Sequence, residues 1–224
     1  MPSIYSQLDI PPENSPISIT PAEGEFIHDF LKERKIQKTL ETGLAFGCAA
    51  AHIISATRHR HYAMDPHQKK FDDRGLKNIQ KLDLAKHLVF EYNFSHCVLP
   101  KLLQEGVDLD FVFIDGGHKF DEIFIDYYYA DLLLNPNGYI LFHDLWMRST
   151  QHVLSWIRHN KKNYRFIPVP ADNMAMVQKT GPDGRAWHHF SGFGTLKSFF
   201  LQARLKFIDR IDRTSNDAPM TSHE

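Results

Sequence analysis

Two short segments of this chain end in side chains able to do chemistry. Phe113-Ile114-Asp115-Gly116-Gly117-His118 and Leu141-Phe142-His143-Asp144 each close an apolar run with carboxylates and imidazoles. Asp115, His118 and His143 are proton acceptors and so candidate catalytic residues; histidine is the commoner base near neutral pH. Asp115 and Asp144 could instead hold a divalent ion. Two carboxylates suffice for magnesium, while adding His143 gives a mixed nitrogen and oxygen set suited to manganese, iron, nickel or zinc. A proton acceptor and a metal centre are two open readings of the same residues. The chain has fourteen histidines but no His-Glu-x-x-His, and neither Cys48 nor Cys97 has a CxxC partner. A zinc site built on those patterns gets no support.

A third segment, Leu40-Glu41-Thr42-Gly43-Leu44-Ala45-Phe46-Gly47, joins an apolar strand pattern to a helical one. Gly43 and Gly47 permit a tight turn and close backbone approach to a ligand. Glu41, at the strand's carboxyl end, can accept a hydrogen bond or offset a cation. Roughly twenty residues on, Tyr62-Ala63-Met64-Asp65-Pro66 places an acid at the next strand end. Nucleotide-like cofactors use such a carboxylate to grip ribose hydroxyls.

These segments need elements to position them. Apolar patterns predict strands at Lys38–Glu41, His61–Asp65, Leu88–Tyr92, Phe111–Asp115 and Tyr139–His143. Helical spacing fills the intervals at Gly47–Thr57, Gly75–Ala85, Val98–Gln104 and Asp121–Leu134, the last stopped by Asn135-Pro136-Asn137-Gly138. Strand–helix alternation implies right-handed crossovers and a parallel sheet covered on both faces. Such sheets bind ligands at the carboxyl ends of their strands. After a helix at Ser149–Lys162, the strands Tyr164–Val169 and Met174–Lys179 are only four residues apart, enough for a hairpin but not a crossover. The expected fold is a Rossmann-like, doubly wound, mostly parallel sheet ending in an antiparallel hairpin.

Thr20-Pro21-Ala22-Glu23 has the form of a capping box opening a helix to Arg34. Residues 1–20 read as an extended arm, 21–180 as the main domain and 181–224 as an extension. Within that extension, 196–213 carries five basic residues and an apolar stripe of Phe199, Phe200, Phe207, Ile208 and Ile211. That helix could serve a homodimer or a peripheral membrane contact. The 224 residues carry 26 basic and 27 acidic side chains, a net charge of −1. That balance argues against nucleic acid as a partner. Two cysteines and the absence of a signal-peptide pattern or a long apolar run make a soluble cytoplasmic protein the expectation.

Taken together, the segments from Pro21 to Lys179 resemble the class I methyltransferases that use S-adenosylmethionine, most of all the small-molecule O-methyltransferase branch. Glu41-x-Gly43-x-x-x-Gly47 resembles that family's first motif, Asp65 its ribose-binding acid and Asp115-Gly116-Gly117-His118 its fourth-strand motif. The resemblance implies a methyl transfer to a hydroxyl of a small acceptor such as a sugar or secondary metabolite. It places the cofactor against Glu41, Gly43, Phe46, Gly47, Asp65, Ser95 and Asp115, with Ser95 or a backbone amide standing in for the acid often found after the third strand. The chain departs from the family in having Ala45 where a third glycine often sits, and His143 where metal-dependent relatives often carry an acid. A nicotinamide-dependent oxidoreductase would need G-x-G-x-x-G for its pyrophosphate, and Ala45 breaks that pattern. A non-catalytic scaffold acting through its C-terminal helix leaves the Asp115, His143 and Asp144 cluster unexplained.

Overall fold

The computed structural model describes residues 3–12 and 17–192. Thr20 caps the first helix, α1 (Pro21–Glu33), in the expected capping box. Its hydroxyl accepts from the Glu23 N–H at 3.3 Å, and the Glu23 carboxylate accepts from the Thr20 N–H at 2.7 Å. Alternation then follows: β1 (Thr39–Thr42), α2 (Cys48–Thr57), β2 (His61–Met64), α3 (Arg74–Lys81), β3 (Leu88–Glu91), α4 (Ser95–Gln104) and β4 (Leu109–Ile114). It continues through α5 (Phe120–Leu133), β5 (Leu134–Phe142) and α6 (Arg148–Asn160) to the hairpin β6 (Tyr164–Ile167) and β7 (Ala175–Lys179).

The seven strands lie in the order β3-β2-β1-β4-β5-β7-β6. The first five are parallel, and β7 runs antiparallel to both its neighbours. The order reverses between β1 and β4, the switch point where such sheets open a crevice. Period-two alternation splits the core between the two faces. Val112, Ile114, Ile140 and Phe142 pack with α4, α5 and α6, whereas Phe111, Phe113, Tyr139 and Leu141 pack with α1 and α2.

Three boundaries differ from the sequence expectation by three residues or more. β5 begins at Leu134, not Tyr139: Leu134 pairs with Leu109, and the Asn-Pro-Asn-Gly segment then bulges before Tyr139 meets Phe111. α3 ends at Lys81, because Asp83 turns into the left-handed region at φ 56°. α4 starts at Ser95, three residues earlier than its apolar spacing shows. The N-terminal arm lies against the domain, where Asp9 and Asn78 exchange two hydrogen bonds and the Lys81 ammonium donates to the Gln7 carbonyl. The amphipathic stretch 196–213 lies outside the described residues.

Candidate active site

The strand ends are level. Thr42 pairs with both Met64 and Ile114, and Ile114 with Phe142. The next residues therefore emerge together: Gly43, Asp65, Asp115 and His143. The ladder carries on through them, since the N–H groups of Gly43, Asp65, Asp115 and His143 donate to Met64, Glu91, Thr42 and Ile114 at 2.9–3.1 Å. Their crowding sets a demand on Gly43, whose φ is +85°. A β-carbon there would lie 2.4 Å from the Asp115 carbonyl oxygen. Gly47 has φ +73° for a different reason: it lets α2 start against α3, where a β-carbon would meet the Gly75 carbonyl at 2.9 Å.

A cavity of about 850 Å³ opens above these ends. Gly43, Phe46, Asp65, Ser95, Asp115, His118, His143 and Asp144 all line it; Glu41 and Gly47 do not. Glu41 points into the covered face of the sheet, fully buried beside His61 at 3.7 Å, and burial pushes its carboxyl pKa up. Asp65 ties the glycine turn to the segment after β2. Its carboxylate accepts from the N–H groups of Leu44, Ala45 and His67 at 3.3, 2.9 and 2.7 Å, and from the Gln68 amide at 2.9 Å. Phe46 packs edge-on to Phe71 at 5.2 Å in the cavity wall.

At the other end stands a network of acids and imidazoles. His143 Nδ1 lies 3.2 Å from Asp115 and 3.4 Å from Asp144, and its Nε2 lies 3.6 Å from Glu23. Burial works against a charge on this ring, but hydrogen bonds to Asp115, Asp144 and Glu23 win and push its pKa up to about 12. His143 is therefore an imidazolium at neutral pH. Such a ring donates hydrogen bonds to the carboxylates around it. Burial raises the Asp115 carboxyl against the pull of His143. Hydrogen bonds from His118 and His143 hold Asp144 far below the ordinary carboxylate range.

His118 is the more open imidazole, 54% exposed, with Nε2 on the second Asp144 oxygen at 3.0 Å. That bond raises its pKa. Among the described residues, Asp115, His118 and Asp144 offer ligand atoms all within 4.8 Å of one another. His143, expected as a ligand, is outside that set; its Nδ1 faces Asp115 and Asp144, and its Nε2 faces Glu23 with the Asn173 side chain 3.2 Å away. Sequence reasoning missed Glu23, read there only as a cap, and Asn173, which no spacing pattern marks. It also missed Trp146, 70% exposed at the cavity wall with its indole N–H donating to Asp144 at 3.0 Å.

Residues 40–145 match a family model described as a methyltransferase domain. Over those residues the chain is similar to that domain, and its strand order is that of the class I methyltransferase fold. Solved methyltransferases share its architecture. The O-methyltransferase TomG of Streptomyces achromogenes, involved in tomaymycin synthesis and in complex with SAM, aligns with a TM-score of 0.67. It is 14% identical over 75% of this chain and 84% of that one. An O-methyltransferase from Bacillus cereus in complex with SAH gives 0.64, at 15% identity over 73% and 83% of the two chains. The SAH-bound methyltransferase PaMTH1 of Podospora anserina gives 0.67, at 13% identity over 81% and 89%. No curated protein matches the sequence.

Proposed function

We propose that this methyltransferase domain uses S-adenosylmethionine to methylate a hydroxyl of a small molecule, a sugar or secondary metabolite being the class favoured. The observation that carries the reading is the charge of the cavity. Among the described residues, its wall holds the carboxylates Asp65, Asp115, Asp121, Glu122 and Asp144, and no lysine or arginine. An acidic wall favours a sulfonium cofactor and opposes the pyrophosphate of a nicotinamide dinucleotide. When bound, the cofactor supplies an electrophilic methyl group. The cavity's size falls within the ~300–1,000 Å³ of small-molecule sites.

The chain's own residues divide the work. The turn from Gly43 to Phe46 backs the cofactor, and Asp65 offers the ribose its Oδ1, which carries one internal donor where Oδ2 carries three. Asp115, Asp144 and His118 stand where an acceptor hydroxyl must be aligned with the methyl group. His118 removes the hydroxyl proton, held in place by Asp144; His143 instead fixes the two carboxylates. A second reading is favoured by the close approach of Asp115, His118 and Asp144. These three would hold a divalent ion of the mixed nitrogen and oxygen type, which lowers the pKa of a bound hydroxyl.

Calorimetry tests the cofactor: S-adenosylmethionine and S-adenosylhomocysteine are expected to bind with one-to-one stoichiometry, and NAD not at all. Binding of NAD alone would overturn the reading. Labelled cofactor incubated with a metabolite extract then reports the acceptor by mass spectrometry. With that acceptor, full turnover in EDTA selects His118 alone, and loss restored by a divalent ion selects the metal.

A further inference from the structure

Asn78 sits on α3, 1% exposed, and its amide is shared between two segments far apart in the chain. Its Oδ1 accepts from the Asp9 N–H at 2.8 Å. Its Nδ2 donates to the Asp9 carbonyl at 3.2 Å and to the Phe46 carbonyl at 3.0 Å. Both amide hydrogens are thus used, one on the N-terminal arm and one on the turn that lines the cavity. Apolar contacts join the same two segments. Ile4 and Leu8 pack in the cluster that holds Leu44, and Tyr5, Leu8 and Ile10 in the cluster that holds Phe46. Yet none of residues 3–12 lines the cavity.

The other end of the turn is held from within the domain, where Asp65 takes the Leu44 and Ala45 N–H groups and the Gln68 amide donates to the Ala45 carbonyl at 2.6 Å. Its Phe46 end depends on Asn78. Lifting the arm removes two of the three bonds of a buried amide and leaves its groups short of partners. The amide is then free to turn away from Phe46, whose side chain forms part of the cavity wall. We propose that Asn78 is a positioning residue that couples the N-terminal arm to the cofactor turn, so that a seated arm raises cofactor affinity and bound cofactor seats the arm. Such coupling is reciprocal by thermodynamic necessity. A partner that competed for the apolar side of the arm would therefore lower cofactor occupancy without entering the cavity. The proposal rests on the S-adenosylmethionine reading and extends it to residues outside the cavity.

Hydrogen exchange and titration calorimetry on the full chain with S-adenosylhomocysteine test it. At saturating ligand, amide exchange over residues 4–10 is expected to slow about tenfold. Asn78→Ala should weaken S-adenosylhomocysteine about tenfold, as loss of a buried hydrogen bond does. Leu8→Asp, which unseats the arm and leaves the hydrogen-bonding groups of the turn in place, should weaken it by a similar factor. Adding Asn78→Ala to Leu8→Asp should then cost no more than about twofold further, because both act through one joint. Factors that multiply instead, to about a hundredfold, would reveal two separate structural defects and overturn the coupling. Unchanged affinity in Asn78→Ala overturns it as well. Should that variant not fold, wild-type exchange and Leu8→Asp decide. Binding with no response in the arm overturns the proposal alone, whereas failure of wild type to bind the ligand overturns the cofactor reading and the proposal with it.

Discussion

His118 and His143 reach opposite oxygens of Asp144, yet their surroundings give them different work. The exposed ring is available to a substrate; the buried one is locked among acids. His118→Ala should therefore lower kcat by about 10²- to 10⁴-fold while leaving S-adenosylhomocysteine affinity within about twofold. His143→Ala leaves buried acids without their counter-ion, a loss of about 3–5 kcal/mol that should lower the melting temperature by on the order of 10 °C. Calorimetry and single-turnover rates on both variants check the division; a stable, inactive His143→Ala would reverse it. Asp126 gives a pH signature. Its folded pKa, about 6, stands above the unfolded carboxyl value near 4, so the native state binds the extra proton and stability falls as pH rises between those values. Asp126→Asn should then gain on wild type across that window by up to about 3 kcal/mol, a gain absent below pH 4. Denaturant titrations at pH 4 and pH 7.5 measure it. At this scale the sequence was legible where a residue sits at a strand end, as Asp115, His118 and Asp144 do. Glu23 was not, because its meeting with His143 depends on how α1 crosses the sheet.

At the scale of elements, the site is made by five parallel strands ending level, and the spacing of their tips is set by a glycine. Gly43→Ala must hold a β-carbon at φ +85° and push the end of β4 away. Left-handed strain and overpacking together should cost about 2–5 kcal/mol and abolish cofactor binding. Gly184→Ala, with nothing within 4 Å of the added carbon, serves as the control and should change stability by no more than about 0.5 kcal/mol. Asp65→Ala should weaken binding about tenfold or more by calorimetry, since it unties the turn and removes the proposed ribose acceptor together. Strand order and the closing hairpin were readable because apolar runs and the four-residue connection leave few topologies. The start of β5 was not, since a bulge pairs Leu134 beyond a proline–glycine segment that by itself reads only as a stop. The start of α4 was hidden for the opposite reason: its first turn is polar and faces the cavity, so no apolar period marks it.

The whole molecule closes around the sheet with more chain than the cavity needs. Among the described residues, those lining the cavity all precede Arg148, and the last strand ends at Lys179. Residues just beyond are nonetheless tied to the domain. The buried Lys161 ammonium donates to Asp131 at 2.5 Å and to Asp183 at 2.7 Å, while Arg185 pairs with Asp183 and lies over the Trp156 ring. Asn160 exchanges two hydrogen bonds with Ser191. A chain cut after Thr180 leaves Lys161 with one acid instead of two and the Asn160 amide oxygen without its donor, Ser191. That should cost about 2–3 kcal/mol, read as a lowered denaturation midpoint. A chain cut after Gly192 keeps all these contacts and should melt with wild type and bind S-adenosylhomocysteine with unchanged affinity. What it loses is the stretch 196–213, with its basic residues and apolar stripe. The expected change is therefore in self-association, acceptor affinity or binding to anionic vesicles, measured by light scattering, kinetics and sedimentation. A Gly192 truncation that fails to fold would show instead that the extension belongs to the core.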